Sequence, residues 1–357
     1  MGLSLPAISA PAPARDAFPT AKAPYMGAYR WSIGENGGIN GNIAFAKWGG
    51  KKAVWAEDFT PGERWGNNIE GGSWQVGPWG EWKKADPDNR RLIYSVGLLP
   101  GGWDRSGPKD GDGAGQPVSL EAGAKGEYNE HFRKLADNLI NAGLGDSVLR
   151  LGWEFNGGWY TWRANENPAA FAGYWREIVK TMRAVKGAKF RYCWNPAMGW
   201  LQFTAESAWP GDEWVDYVGL DVYDDSWQAD TYPFPAGTPA TEILARQKKV
   251  WNEVILNGNH GLGFWRDFAK IHKKPLAIPE WGISKREDTH GGLDNPYFIE
   301  QMHKFIADKA NNVYFHCYFD VQAGDGHHQL SPGVKTNEKT EFPNASAIFL
   351  KLFGSRK

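Results

Sequence analysis

Residues 147–180 read "SVLRLGWEFNGGWYTWRANENPAAFAGYWREIVK", and they contain one complete strand–loop–helix unit. The run 147–153 is short and apolar, with β character. After an aromatic loop, Asn167-Pro168 pairs a side chain suited to capping a helix with a residue preset for its first turn. Phe171, Tyr174, Trp175, Ile178 and Val179 then recur at helical spacing.

The same unit recurs along the chain. Strand candidates occupy 25–31, 52–59, 91–99, 147–153, 189–195, 216–223, 275–281 and 313–320. Helical patterns lie between them, as at Phe132, Leu135, Ala136, Leu139 and Ile140, and Asn295-Pro296 repeats the capping signal. Near-continuous apolar strands alternating with helices predict a parallel sheet covered by helices. Eight such units predict an α/β fold, a (β/α)8 TIM barrel forming a single domain over 25–354, with loop insertions at 60–90, 101–124 and 224–257. Residues 1–24 are Ala/Pro-rich and read as a flexible N-terminal segment, a signal remnant or linker, which makes a secreted or periplasmic location the expectation.

Composition narrows the function. The net charge of −1, with no long basic run, removes the electrostatic footprint expected for nucleic acid or an anionic membrane surface. No run approaches the roughly 20 apolar residues of a membrane span. The first strand is not followed by G-x-G-x-x-G, and the glycine-rich 101–116 lacks the Lys-Ser/Thr ending of a phosphate-binding loop, so no nucleotide cofactor is expected. Cys193 and Cys317 lie in separate strand candidates and offer neither metal-ligand spacing nor a disulfide framework. Asp325, His327 and His328 could ligate a metal, but adjacent histidines point apart, so that segment reads as a loop, with sugar contact as its alternative role. No metal is expected.

In such a barrel the chemistry sits at the carboxyl ends of the strands. Those ends carry Arg30-Trp31, Glu57-Asp58, Trp103 a little beyond strand three, Trp153-Glu154, Trp194-Asn195, Asp221 and Tyr223, Glu280-Trp281, and Asp320. Strand alternation puts Arg150, Gly152 and Glu154 on one face, Leu276, Ile278 and Glu280 on another, and Gly219, Asp221 and Tyr223 on a third. Two carboxylates at the mouth of an aromatic pocket suit glycoside hydrolysis, in which one acid protonates the departing oxygen while the other attacks or activates water. Trp153, Trp159, Tyr160 and Trp162 provide faces for sugar rings, and Gly157-Gly158 lets the loop turn close to a ligand. The apolar wall keeps Glu154 protonated nearer neutrality, as an acid catalyst requires. Asn156 and Asn195 suit hydroxyl recognition. Asp221, Asp224, Asp225 and Asp320 suit hydroxyl or calcium binding, or a supporting role behind the site.

The segments "RLGWEFNGGWYTW", "WPGDEWVDYVGLDVYDDSW" and "KPLAIPEWG" resemble the fourth, sixth and seventh strand regions of glycoside hydrolase family 26, best known for β-mannanases. The resemblance runs in order from residue 25 to about 320. It implies a retaining, endo-acting hydrolase of a β-linked polysaccharide, with Glu154 as acid/base and Glu280 as nucleophile. It also implies that Arg150 is the arginine four residues before the acid, that Tyr223 positions the nucleophile, and that Trp162 floors the subsite next to the cleaved bond. Trp103 and Trp281 join the expected substrate-contact residues. Two positions depart from the family pattern. Trp153 stands where histidine usually precedes the acid, and strand eight ends in "YFHCYFD" without the expected rim tryptophan. The expected substrate is therefore β-mannan or another β-linked glycan, a bacterial exopolysaccharide included, and a monomer is expected. A catalytically inactive carbohydrate-binding barrel and a non-glycosidase barrel enzyme are the alternatives.

Overall fold

A computed structural model describes residues 22–33, 37–102, 117–333 and 339–355. Eight parallel strands close into a barrel in chain order: β1 (Tyr25–Tyr29), β2 (Trp55–Phe59), β3 (Leu92–Val96), β4 (Val148–Leu151), β5 (Arg191–Trp194), β6 (Tyr217–Gly219), β8 (Leu276–Gly282) and β10 (Val313–Phe319). Closure comes from β10, which pairs with β8 on one side and β1 on the other. All eight expected strands are present. The sixth breaks at Leu220-Asp221 and resumes as β7 (Val222–Tyr223), alongside β8.

The α-helices among the described residues are α1 (Gly38–Trp48), α2 (Ser73–Lys84), α3 (Leu120–Ala124), α4 (Asn129–Asn141), α5 (Pro168–Arg183), α6 (Ala240–Lys249), α7 (Leu262–Ile271), α8 (Pro296–Ala307) and α9 (Pro343–Phe353). Asn167 caps α5 by accepting from the Ala170 amide at 3.0 Å, and Asn295 caps α8 through the Phe298 amide at 3.1 Å. All three expected loop insertions are corrected, because each carries helix, with α3 at the end of 101–124. Residues 60–90 contain α2 and residues 224–257 contain α6. The sequence of α2, "SWQVGPWGEWKK", spreads aromatic residues around the helix and carries an internal proline, so it lacks the single apolar stripe that announces a helix.

The core has two layers. Outward-facing strand residues such as Leu149, Leu151, Ile278 and Trp281 pack against the helices. A smaller cluster of Trp55, Ile93, Val148, Cys193, Tyr217, Ala277 and Phe315 plugs the barrel interior. Both cysteines are free thiols in that plug. Above it, the same inward positions turn polar: Glu57 follows Trp55 on β2, Ser95 follows Ile93 on β3, and Arg150 follows Val148 on β4. Strand period alone lifts these groups towards the mouth.

Candidate active site

Both candidate carboxylates are aimed by breaks in strand regularity, which corrects the expectation from simple alternation. β4 ends at Leu151, and Gly152 (φ +52°) and Glu154 (φ +51°) both take left-handed backbone. Arg150 enters the barrel from the strand, whereas Glu154 is presented by the turn after it. That conformation costs a non-glycine residue about 1–2 kcal/mol. It is held by the Glu154 amide donating to the Asn195 carbonyl at 2.8 Å and by the Gly157 amide donating to the Glu154 carbonyl at 2.9 Å. On β8, the register against β10 slips between His316, opposite Ile278, and Tyr318, opposite Trp281. The extra residue reverses the alternation. Leu276 and Ile278 therefore face the helices, while Glu280 turns inward to meet Arg150 and Tyr223.

Arg150 is the hub. Its side chain has 0% of its surface exposed, and it donates to Glu57 at 2.9 Å, to the Ser95 hydroxyl at 3.1 Å, and to Glu280 and Asp221. Phe59 and Trp153 lie over the guanidinium at 5.8 and 5.7 Å. Burial disfavours its charge, yet Asp221, Glu280 and Glu57 together hold it protonated well above the ordinary arginine value. One cation cannot balance three ionised carboxylates in such a place. Burial accordingly pushes Glu57 up to about 8 against the pull of Arg150, with Glu280 adding to the rise, and Asp221 is also raised by burial. Glu280 has a further donor in the Tyr223 hydroxyl, at 2.7 Å. Burial, with the charge of Glu280 next, keeps that phenol protonated.

Glu154 has different surroundings. Its carboxylate accepts from Trp159 Nε1 at 2.9 Å. The Trp159 ring lies across Gly157, where an added Cβ would come within 2.3 Å of it, so the Gly157-Gly158 turn is what admits the ring. Burial first and the charge of Glu280 second raise Glu154 to about 8, and Arg150 only partly offsets them. The site thus holds one carboxylate with two dedicated donors and one that favours its proton.

The remaining rings mostly form a wall behind these groups. Trp153 Nε1 donates to the Tyr160 hydroxyl at 2.7 Å, Trp162 Nε1 donates to the Trp153 carbonyl at 3.0 Å, and Tyr160 stacks on Trp162 at 4.4 Å. Trp162 is only 1% exposed and fills the space beside Gly97, so the expectation that it floors a subsite is corrected to a packing role. Trp162→Ala is expected to cost about 3–5 kcal/mol of stability, measured by denaturant unfolding. An unchanged midpoint with impaired turnover would return the ring to sugar binding.

Several other expected contact residues are engaged within the protein. Trp281 is fully buried on the helix side of β8, bonded to His316 Nδ1 at 3.1 Å, because inward Glu280 forces its neighbour outward. Asn156 clamps Ala197, donating to its carbonyl at 2.9 Å and accepting from its amide at 2.8 Å. Asn195 is buried with Nδ2 on the Pro196 carbonyl. Asp221 serves Arg150 rather than an open hydroxyl site, and Arg150 itself is sealed from ligand. Asp224 holds Tyr232 at 2.8 Å and Asn295 at 2.7 Å, while Asp225 lies 3.9 Å from Arg286. Trp153 contributes a wall, and Trp159 and Tyr223 touch the two carboxylates directly. Trp103 lies outside the described residues. Ser95 was missed as a site residue, and Glu57 was read as a rim acid without a role; their signal was their place two residues beyond inward-facing Trp55 and Ile93. Among the described residues, no group of three or more His, Cys, Asp or Glu side chains is placed to hold a metal.

The family model for "Glycosyl hydrolase family 26" matches residues 122–236, which include Arg150, Glu154, Trp159, Asp221 and Tyr223. A mannan endo-1,4-beta-mannosidase of Bifidobacterium adolescentis is 30% identical over 226 residues, covering 60% of this chain and 21% of that protein. The chain is thus similar to glycosyl hydrolase family 26 over the segment that carries Arg150, Glu154 and Tyr223. It spans about a fifth of the length of that curated relative. In three dimensions it resembles the catalytic domain of the Bacillus sp. JAMB-750 GH26 endo-beta-1,4-mannanase, with a TM-score of 0.60 at 16% identity, covering 94% of this chain and 88% of the other. It also resembles a Cellulomonas fimi endo-beta-1,4-mannanase double mutant, with a TM-score of 0.58 at 18% identity, covering 90% and 70%. These two likenesses support the (β/α)8 fold of the chain and nothing finer. Glu280 lies beyond the family-matched segment and joins it through the pairing of β8 with β6 and β7.

Proposed function

We propose that this protein is a retaining, endo-acting β-glycoside hydrolase, with Glu154 as acid/base and Glu280 as nucleophile. The observation that carries the reading is the contrast between the two carboxylates. Glu280 receives hydrogen bonds from Arg150 and Tyr223, whereas burial and the charge of Glu280 favour the proton on Glu154. Glu280 attacks the anomeric carbon as Glu154 protonates the departing oxygen. Glu154, now a carboxylate, then draws a proton from the water that cleaves the glycosyl-enzyme. The relatives' names make β-1,4-mannan the first substrate to test. Trp153 and the Phe319-Asp320 end of β10, in place of the family's histidine and rim tryptophan, favour a second reading in which another β-linked glycan, such as a bacterial exopolysaccharide, is cut. A polymeric substrate favours a location outside the cytoplasm, and a monomeric enzyme is part of the same proposal.

Reducing-end release from a panel of β-mannan, β-glucan, β-xylan and bacterial exopolysaccharides tests the class, and no release from any of them overturns it. The pH profile tests the roles. A general acid must be protonated to act, so kcat/KM should decline as pH rises through about 8. With a substrate whose leaving group departs unprotonated, that decline should disappear from the glycosylation step. A decline that persists there assigns it to another group.

A further inference from the structure

The segment after β10 folds back as a small antiparallel sheet of β11 (Gln322–Ala323), β12 (Gly326–His327) and β9 (Lys285–Arg286). Its two adjacent histidines point apart. His327 is directed outward and meets Glu341 at 2.7 Å, whereas His328 turns inward and is 3% exposed. The His328 ring lies 4.8 Å from that of Tyr223, the residue bonded to Glu280, and 5.6 Å from that of Phe319.

Its placement is rigid. The His328 amide donates to the Val321 carbonyl at 2.9 Å, and its carbonyl accepts from the Tyr318 hydroxyl at 2.8 Å. Asp320 secures the following residues, accepting from the Leu330 and Ser331 amides at 2.6 and 3.1 Å and pairing with Arg30. Nδ1 lies 2.7 Å from the Ile283 carbonyl. A carbonyl only accepts, so Nδ1 carries the proton, and in the neutral ring Nε2 is left as an acceptor. Among the described residues Nε2 has no partner, and it is not among the sealed unpaired atoms.

We infer that His328 is a specificity-determining residue, its Nε2 accepting a hydrogen bond from a hydroxyl of the sugar attacked by Glu280. This rests on the hydrolase reading above. The arrangement is a fixed acceptor beside the nucleophile's tyrosine, supplied by a loop pinned to β1, β8 and β10. A pyranose seated at Glu280 brings hydroxyl donors to that wall, and a fixed, partly desolvated acceptor discriminates among hydroxyl positions better than a mobile one.

The test uses wild type, His328→Ala and His328→Gln on a manno-oligosaccharide, or on whichever β-linked oligosaccharide the wild type cleaves. His328→Ala should lower kcat/KM on the order of tenfold or more, and His328→Gln, which keeps an acceptor, should recover part of it. A second measurement leaves His328 intact. In 15N-histidine-labelled Glu280→Gln protein, adding the oligosaccharide should shift the Nε2 resonance of His328 and leave Nδ1 in place. Cleavage by wild type with less than a twofold change in His328→Ala, or an unmoved Nε2 resonance on saturation, overturns the inference while the hydrolase reading stands. If wild type neither binds nor cleaves any β-glycan offered, both fall together.

Discussion

Glu280→Ala is expected to abolish turnover of a β-glycoside with a good leaving group, and added azide should then restore reaction with inverted configuration. Without the carboxylate no glycosyl-enzyme forms, and the space it vacates admits a small anion beside Tyr223 and Arg150. Glu154→Ala should behave differently. A leaving group that departs unprotonated still permits attack by Glu280, so the covalent intermediate should accumulate, and azide should release it as a glycosyl azide of retained configuration. Mass spectrometry of the trapped protein and NMR of the azide product separate the cases. If both variants respond alike, or the stereochemistry is exchanged between them, the assignment of acid and nucleophile is wrong.

The second large effect concerns Arg150. Replacing it with Leu leaves Glu57, Asp221 and Glu280 facing one another in a buried site with no cation. Removing one partner of a buried charge network costs about 3–5 kcal/mol. The pH dependence has a definite sign. Raised carboxyl values favour the protonated folded state, so the penalty should be smallest near the ordinary value of 4.5 and grow as pH rises towards and beyond the value of about 8 already held by Glu57. Arg150→Lys should recover little, because a compact ammonium cannot span partners on β2, β3 and β8 as a planar guanidinium does. Chemical denaturation from pH 5 to 9 measures the effect, and an unfolding midpoint equal to wild type across that range would show that Arg150 does not hold the three carboxyls.

The sequence was sufficient for the barrel because the relevant signals are local. Apolar runs of strand length, the caps Asn167 and Asn295, and the periodicity of α4 and α5 each involve residues close in the chain. It failed at α2, where aromatic residues surround a helix with an internal proline. Glu154 and Glu280 also stood out as candidates, the first just beyond a largely apolar strand run and the second near the end of one. Their orientation was not legible. A left-handed turn at Gly152 and Glu154 and a register slip on β8 turn them towards each other, and neither follows from the period-2 rule. The roles of the aromatic residues also required tertiary structure. Trp159 and Trp162 are three residues apart in one loop, yet one bonds the acid while the other is sealed beside Gly97. The convergence of Glu57, Asp221 and Glu280 on Arg150 joins residues up to 223 positions apart by barrel closure, with Arg150 itself 93 from Glu57 and 130 from Glu280. Chemical identity and local period are properties of neighbouring residues, whereas burial, charge balance and direction depend on which distant strands close around a side chain.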